Sequence, residues 1–336
     1  MSVLAAILTQ ILHLALVLAA APVVLGGIRW LKARMVGRVG AHPLQPLRDW
    51  AKLLRKRPVL AENASGISRA APYVATAAAV AGVALVPSFA RGMAFAPLAD
   101  LVLIAGLLAL GRIALALAGL DVGTAFGGLG VAREMSFAAL AEPALLVSAL
   151  SFAILAGTTA LDTIGLTFQD GTVGLRVSLV LALIALCAVA IAENARIPVD
   201  NPATHLELTM VHEAMILEAS GRHLALWEAA SALRLTLWLA LIVALFVPFG
   251  TAPAGFAPLG WLIGLVAWLA KMGVLCLMLA ARSASRAARS RRAPCRRAGT
   301  ARRSARATAS AATPRPPPTT RGAGRTPPGS SPRAPW

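Results

Sequence analysis

Between Ala192 and Ala225 the chain reads AENARIPVDNPATHLELTMVHEAMILEASGRHLA, and this stretch gathers the residues best suited to chemistry. Glu193, Asp200, Glu207, Glu213 and Glu218, with Arg196 and Arg222, fall within 30 residues of one another. Carboxylates take up and release protons, and arginines hold them ionised until a change of position or charge lets go. Long apolar runs flank the stretch on both sides. Ionisable groups beside or inside a bilayer are costly, and they mark routes for protons, ions or conformational change. Metal chemistry has no comparable support. The second histidine of an H-E-x-x-H helix starting at His212 would fall on Ile216. Cys187, Cys276 and Cys295 form no C-x-x-C pair, so the chain is expected to carry no cofactor of its own.

Further charges interrupt the apolar runs: Asp100, Arg112, Glu142, Glu228, Arg234 and Lys271. Each costs roughly 2.5–3.5 kcal/mol at mid-membrane unless it is paired, hydrated or neutralised. For any one of them structural pairing is a sufficient reading, for instance Asp100 or Glu142 with Arg112. For the set, a buried polar path across the bundle accounts for more. Glu134 and Glu142 lie about two helical turns apart at the head of the fourth apolar run, leading inward.

The elements that must position these groups are membrane helices. The sequence is 58% hydrophobic, and runs long enough to cross a bilayer recur: Val3–Leu25, Pro72–Ala90, Leu98–Leu120, Ser136–Ala160, Leu175–Ile191, Leu226–Gly250 and Phe256–Ala280. The fold class is an all-α polytopic membrane bundle with seven spans over residues 1–281. The first run has no basic flank or cleavage site and reads as a span rather than a signal peptide.

Gly26–Ala71 holds ten Lys and Arg. By the positive-inside rule that loop, the Asp121–Met135 loop and the acidic segment face the cytoplasm, with the N-terminus outside. Within loop one, Leu47, Trp50, Leu53 and Leu54 recur at helical spacing against Arg48, Asp49, Lys52, Arg55 and Lys56, as in a helix lying at a lipid interface. Pro202–Arg222 reads as one or two short helices. Thr204 and Glu207 form a capping box there, Glu207 and Glu218 lie near one face, and Glu213 points elsewhere.

The net charge of +18 belongs mostly to the tail: fourteen of the 32 basic residues and none of the 14 acidic ones follow residue 281. A nucleic-acid partner for the body has no support. Residues 282–336 contain no Leu, Ile, Val, Phe or Met and are expected to be disordered and Arg/Pro-rich. Such an alphabet arises from a reading-frame shift in GC-rich coding DNA. A basic tail binding anionic lipid or RNA, and a solvated extension without function, are the other readings.

Several blocks resemble the membrane subunit of formate hydrogenlyase and hydrogenase-4 complexes, within the respiratory complex I subunit 1 family. They are KARMVGRVGAHPLQPLRDWAKLLRK, LALAGLDVGTAFGGLGVAREMSFAALAEPALL and ENARIPVDNPATHLELTMVHEAMILEASGR. The resemblance implies eight spans in the bacterial inner membrane and a non-catalytic subunit without redox centre. It implies that partners carry the [NiFe] and iron–sulfur groups: a hydrogenase-like large subunit, an iron–sulfur subunit and antiporter-like membrane subunits. Carried over by motif, Glu193, Asp200, Glu207, Glu213, Glu218, Glu142 and Glu134 would couple protons to electron transfer. Gln45, Arg48, Asp49, Arg133, Arg196 and Arg222 would face the peripheral arm. Ala219 stands where the family has tyrosine, and His42 where proline is expected. The same likeness leaves subunit 1 of a quinone-reducing complex I as a second reading. A stand-alone cation or proton transporter is a third, for which the halves show no internal repeat.

Overall fold

A computed structural model describes residues 3–169, 177–194, 212–253, 255 and 258–311, the side chains of 286–311 excepted. Ten α-helices follow in order among these residues: α1 Val3–Met35, α2 Gln45–Leu54, α3 Gly66–Leu85, α4 Leu101–Asp121, α5 Ala125–Ala156, α6 Leu161–Gln169, α7 Val177–Glu193, α8 His212–Met215, α9 Gly221–Phe246 and α10 Pro258–Ala311. Six are long and apolar enough to cross a membrane: α1, α3, α4, α5, α9 and the part of α10 up to Ser285. The fifth apolar run forms α7, whose 17 residues span about 25 Å. The chain is a polytopic helical membrane protein.

Apolarity located these helices but not their ends. Helix α5 starts eleven residues ahead of the expected Ser136, at the Thr124 cap whose hydroxyl accepts from Gly127 N–H at 3.2 Å. The expected Asp121–Met135 loop is therefore a short turn. Arg133 and Glu134 stand on helix, not in loop. Helix α1 continues ten residues past Leu25, because leaving lipid does not end a hydrogen-bond ladder. Helix α6, nine residues long, lies between the fourth and fifth apolar runs, and its Leu161 and Ile164 are buried.

The middle of the molecule is α9. Of its apolar window 78% is buried, against 22% for α10. Trp238 and Thr236 on α9 are wholly enclosed, and α9 packs against α1, α2, α3, α6 and α7. Helix α10 turns a single stripe inward, Trp268, Met272, Cys276 and Ala280. Large apolar side chains on the outer faces, such as Leu140 and Ile154 of α5, are exposed, as a lipid-facing surface requires.

At one end of the bundle lies loop one; the other is called the far end below. Loop one is docked. A side chain at Gly26 would collide with the Pro43 carbonyl, so α1 and loop one touch backbone to backbone. The two apolar faces of α2 differ from expectation. Pro46 is buried and Trp50 and Leu53 turn partly inward, whereas Leu47 and Leu54 are exposed.

Two units divide the chain, Met1–Ala288 and Arg289–Trp336. In the second, the backbone is helical to Ala311 where disorder was expected from residue 282. Ala and Arg are among the strongest helix formers, which favours that conformation locally.

Candidate functional site

Four helices bring charge to one place midway along the bundle, and Glu193 joins it from the loop-one end. Helix α4 places Arg112, which is 2% exposed. Its Nη1 lies 3.0 Å from Glu142 Oε1 on α5 and 3.2 Å from Glu193 Oε1, the last residue of α7. Glu193 is buried, while the Glu142 side chain is 45% exposed. Helix α5 adds Glu134, on the buried stripe that continues as Ala138, Ala141 and Leu145. Helix α9 adds Arg234, buried and within electrostatic range of Glu134, Glu193 and Arg112. It packs against Gly111 of α4, its Nη2 3.8 Å from where a Cβ would stand, an ordinary van der Waals distance.

The arrangement is tense rather than saturated. Arg112 Nη1 approaches both carboxylates off the line of its N–H bonds. Arg112 Nε and Glu193 Oε2 have no hydrogen bond among the described residues. Three carboxylates face two guanidiniums here, so uptake of one proton leaves the set formally neutral.

His212 on α8 borders this cluster. Desolvation and the neighbouring Arg234 guanidinium hold it well below the usual imidazole range, at about 4, so it is neutral at pH 7.

The remaining candidates lie at the loop-one end. Glu213 and Glu218 are exposed, and Glu218 borders a small cavity with Ser68, His223 and Trp227. Arg133 is half-buried and Arg222 exposed at the head of α9. On α2, Gln45 Nε2 donates to Asp49 Oδ1 at 2.9 Å, and Arg48 is exposed. Arg196, Asp200, Glu207 and the Thr204 cap lie outside the described residues.

Loop one is tied to this region at two points. Ser220 Oγ accepts from Val59 N–H at 2.7 Å and donates to Val59 O at 2.8 Å. The next residue, Gly221, has φ +53°, and any Cβ there would overlap the Arg57 carbonyl. Only glycine both adopts that backbone easily and allows the approach. Asp121 seals the neighbouring corner by accepting from the Ser65 and Ser68 amides at 2.9 and 3.2 Å, a carboxylate seated on the N-terminus of α3.

Sequence reasoning singled out Arg112 and Arg234 as intramembrane charges but not as members of the coupling set. The signal was present, since an arginine in an apolar run needs a partner. What it lacked was the partner's identity. Of the two pairings considered for Arg112, Glu142 makes it. Asp100 instead caps α4 at the far end, accepting from Val102 N–H and Thr159 Oγ1, each at 2.7 Å.

Residues 7–293 match the model of a family described as NADH dehydrogenase. Hydrogenase-4 component C of Escherichia coli K12 is 35% identical over 231 residues, covering 69% of this chain and 72% of that protein. Formate hydrogenlyase subunit 4 of the same organism is 29% identical over 274 residues, covering 82% and 88%. Among solved structures, a chain of the membrane-bound sulfane sulfur reductase, an archaeal respiratory membrane complex, superposes with a TM-score of 0.72. That match covers 84% of this chain and 90% of the other at 20% identity, a likeness of fold. By its sequence match and its helical architecture, the chain belongs to the NADH dehydrogenase family, of the respiratory complex I subunit 1 type.

Proposed function

We propose that this chain is the membrane-anchoring, proton-coupling subunit of a group 4 [NiFe]-hydrogenase-like complex, of formate hydrogenlyase or hydrogenase-4 type. The single observation that carries the coupling role is Arg112 bridging Glu142 and Glu193 from three separate helices. Such a bridge is sensitive to any shift of one helix against another. The likeness to two E. coli hydrogenase-type membrane subunits supports the hydrogenase branch over subunit 1 of a quinone-reducing enzyme or a stand-alone transporter.

In this reading the loop-one end faces the cytoplasm, in the bacterial inner membrane, with the N-terminus outside. Gln45, Arg48, Asp49, Arg133, Arg196 and Arg222 meet a peripheral arm. That arm holds the [NiFe] large subunit and an iron–sulfur subunit, and antiporter-like subunits lie beside the bundle. The chain itself carries no cofactor and catalyses no reaction. Electron transfer in the arm alters charge or position at Glu207, Glu213 and Glu218, and Asp200 belongs to the same proposed set. The change reaches Glu134, Glu142 and Glu193 by moving Arg112 or Arg234 relative to them, because a guanidinium that withdraws favours a protonated carboxyl.

Affinity purification from membranes in mild detergent, with mass spectrometry of the partners, tests the assignment. A nickel–iron large subunit with antiporter-like subunits is the expected result; quinone-oxidoreductase subunits would overturn it. Coupling is tested in the same complex by Glu142→Gln with Glu207→Gln, and unchanged proton uptake during turnover would remove it.

A further inference from the structure

Every helix that carries charge into the cluster becomes apolar on the same face as it runs toward the far end. On α4, Leu108 sits one turn beyond Arg112, with Ile104 one turn further. On α5, Leu145 follows Glu142 by three residues, and Phe152 continues the line. On α7, Leu186 lies seven residues from Glu193, and on α9 Leu241 lies seven residues from Arg234. Separations of three, four and seven keep side chains on one helical face. These side chains meet around a common gap. All six are at most 6% exposed.

The gap offers about 10 Å³, and among the described residues no side chain lining it can hydrogen-bond. A water molecule needs roughly 10–15 Å³ and two to four polar partners. The layer is therefore dry. The hydroxyls nearby are already engaged: Ser148 donates to Ala144 O at 2.7 Å and Thr236 to Ala232 O at 2.9 Å, each within its own helix. Along α4 the next polar side chain after Arg112 is Asp100, about 18 Å away along the helix axis. Protons move along chains of water or polar groups, and apolar constrictions stop conduction by excluding water.

We propose that this four-helix apolar layer is a proton seal, which prevents protons gathered at the Arg112 cluster from crossing to the far end through this chain. The seal rests on the reading of that cluster as a proton-handling site. It makes the cluster a blind pocket, so that protons leave it only sideways or back toward loop one.

Passive leak tests the seal without any electron donor. The complex purified with this chain is reconstituted in liposomes containing pyranine, and a potassium gradient with valinomycin drives proton entry. Native complex should hold the gradient, Leu145→Met should match it, and Leu145→Asn with Leu186→Asn should collapse it several-fold faster. Where that pair fails to assemble, Ala105→Ser with Ala149→Ser adds two hydroxyls and little volume, with the same expected rise. An assembled polar variant as tight as native overturns the seal. A tight polar variant that still couples turnover to proton uptake would remove the seal and leave the proposed function. A leaky one whose partners are not of hydrogenase type would do the reverse.

Discussion

The far end of the bundle and its central charge cluster use the same residue types in opposite ways. At the far end, polar side chains bind backbone. Gln10 Nε2 donates to Ala84 O at 3.0 Å, and Asp162 accepts from Gly92 N–H at 3.0 Å. His13 donates from Nε2 to Val83 O at 2.9 Å, which leaves Nδ1 to accept from Ser88 Oγ at 2.6 Å. Lys271 Nζ donates to Val247 O and Phe249 O where α9 ends. Peptide groups freed at helix ends must be satisfied inside a membrane, and these side chains do it. In the charge cluster, side chains instead pair with one another across helices, with atoms left over. The first kind of bond fixes a structure. The second can be rearranged without unfolding anything, and this is what a coupling site requires.

The comparison breaks or sharpens at four places. The largest effect is expected for Arg112→Ala, which strands buried Glu193 beside Glu142. Removing one partner of a buried pair costs about 3–5 kcal/mol, read as a lower melting temperature of the detergent-solubilised complex together with lost proton uptake. A loss no greater than that of a far-end cap would erase the distinction. Next comes Gly221→Ala, where the left-handed backbone alone costs about 1–2 kcal/mol and the overlap with Arg57 adds to it. Limited proteolysis of loop one should then become faster. Asp100→Ala removes a helix cap worth about 1 kcal/mol and should leave proton uptake per turnover unchanged. A change in that ratio would place coupling at the far end too.

The fourth effect appears only as pH falls. His212 has its proton affinity lowered in the folded state, from an ordinary 6.5 to about 4. Its contribution is complete above 6.5 and is lost as pH falls toward 4, because the unfolded chain binds the proton first. His212→Gln should flatten the melting temperature across that window. An unchanged slope would mean that His212 is neither desolvated by burial nor held in the field of Arg234 in the folded chain.

Much of the fold was legible because lipid imposes a simple rule on composition. All seven apolar runs correspond to helices in the described residues, and the fifth is the shortest. Helix ends were less legible, since they answer to caps and backbone geometry. Thr124 was visible in the sequence, but nothing in the hydropathy near it announced that α5 would begin in a supposed loop. The two faces of α2 could not be separated by periodicity alone: Leu47 and Leu54 are as apolar as Leu53 and differ only in what lies opposite. At the site, composition identified which charges needed explanation. Their pairing depends on helix rotation, which one residue of drift would change by about 100°. Hence Glu142 and Asp100 were equal candidates for Arg112 until the helices were assembled.

The Gly221 contact gives the molecule a mechanical property. Loop one and the first turn of α9 are joined tightly enough that neither can shift without the other. From Gly221 to Arg234 runs an unbroken helix of about 20 Å. A hydrogen-bonded helix is stiff along its axis and acts as a pushrod. A small displacement imposed on the loop from outside the membrane is delivered, nearly undiminished, to a guanidinium buried within the field of Glu134 and Glu193.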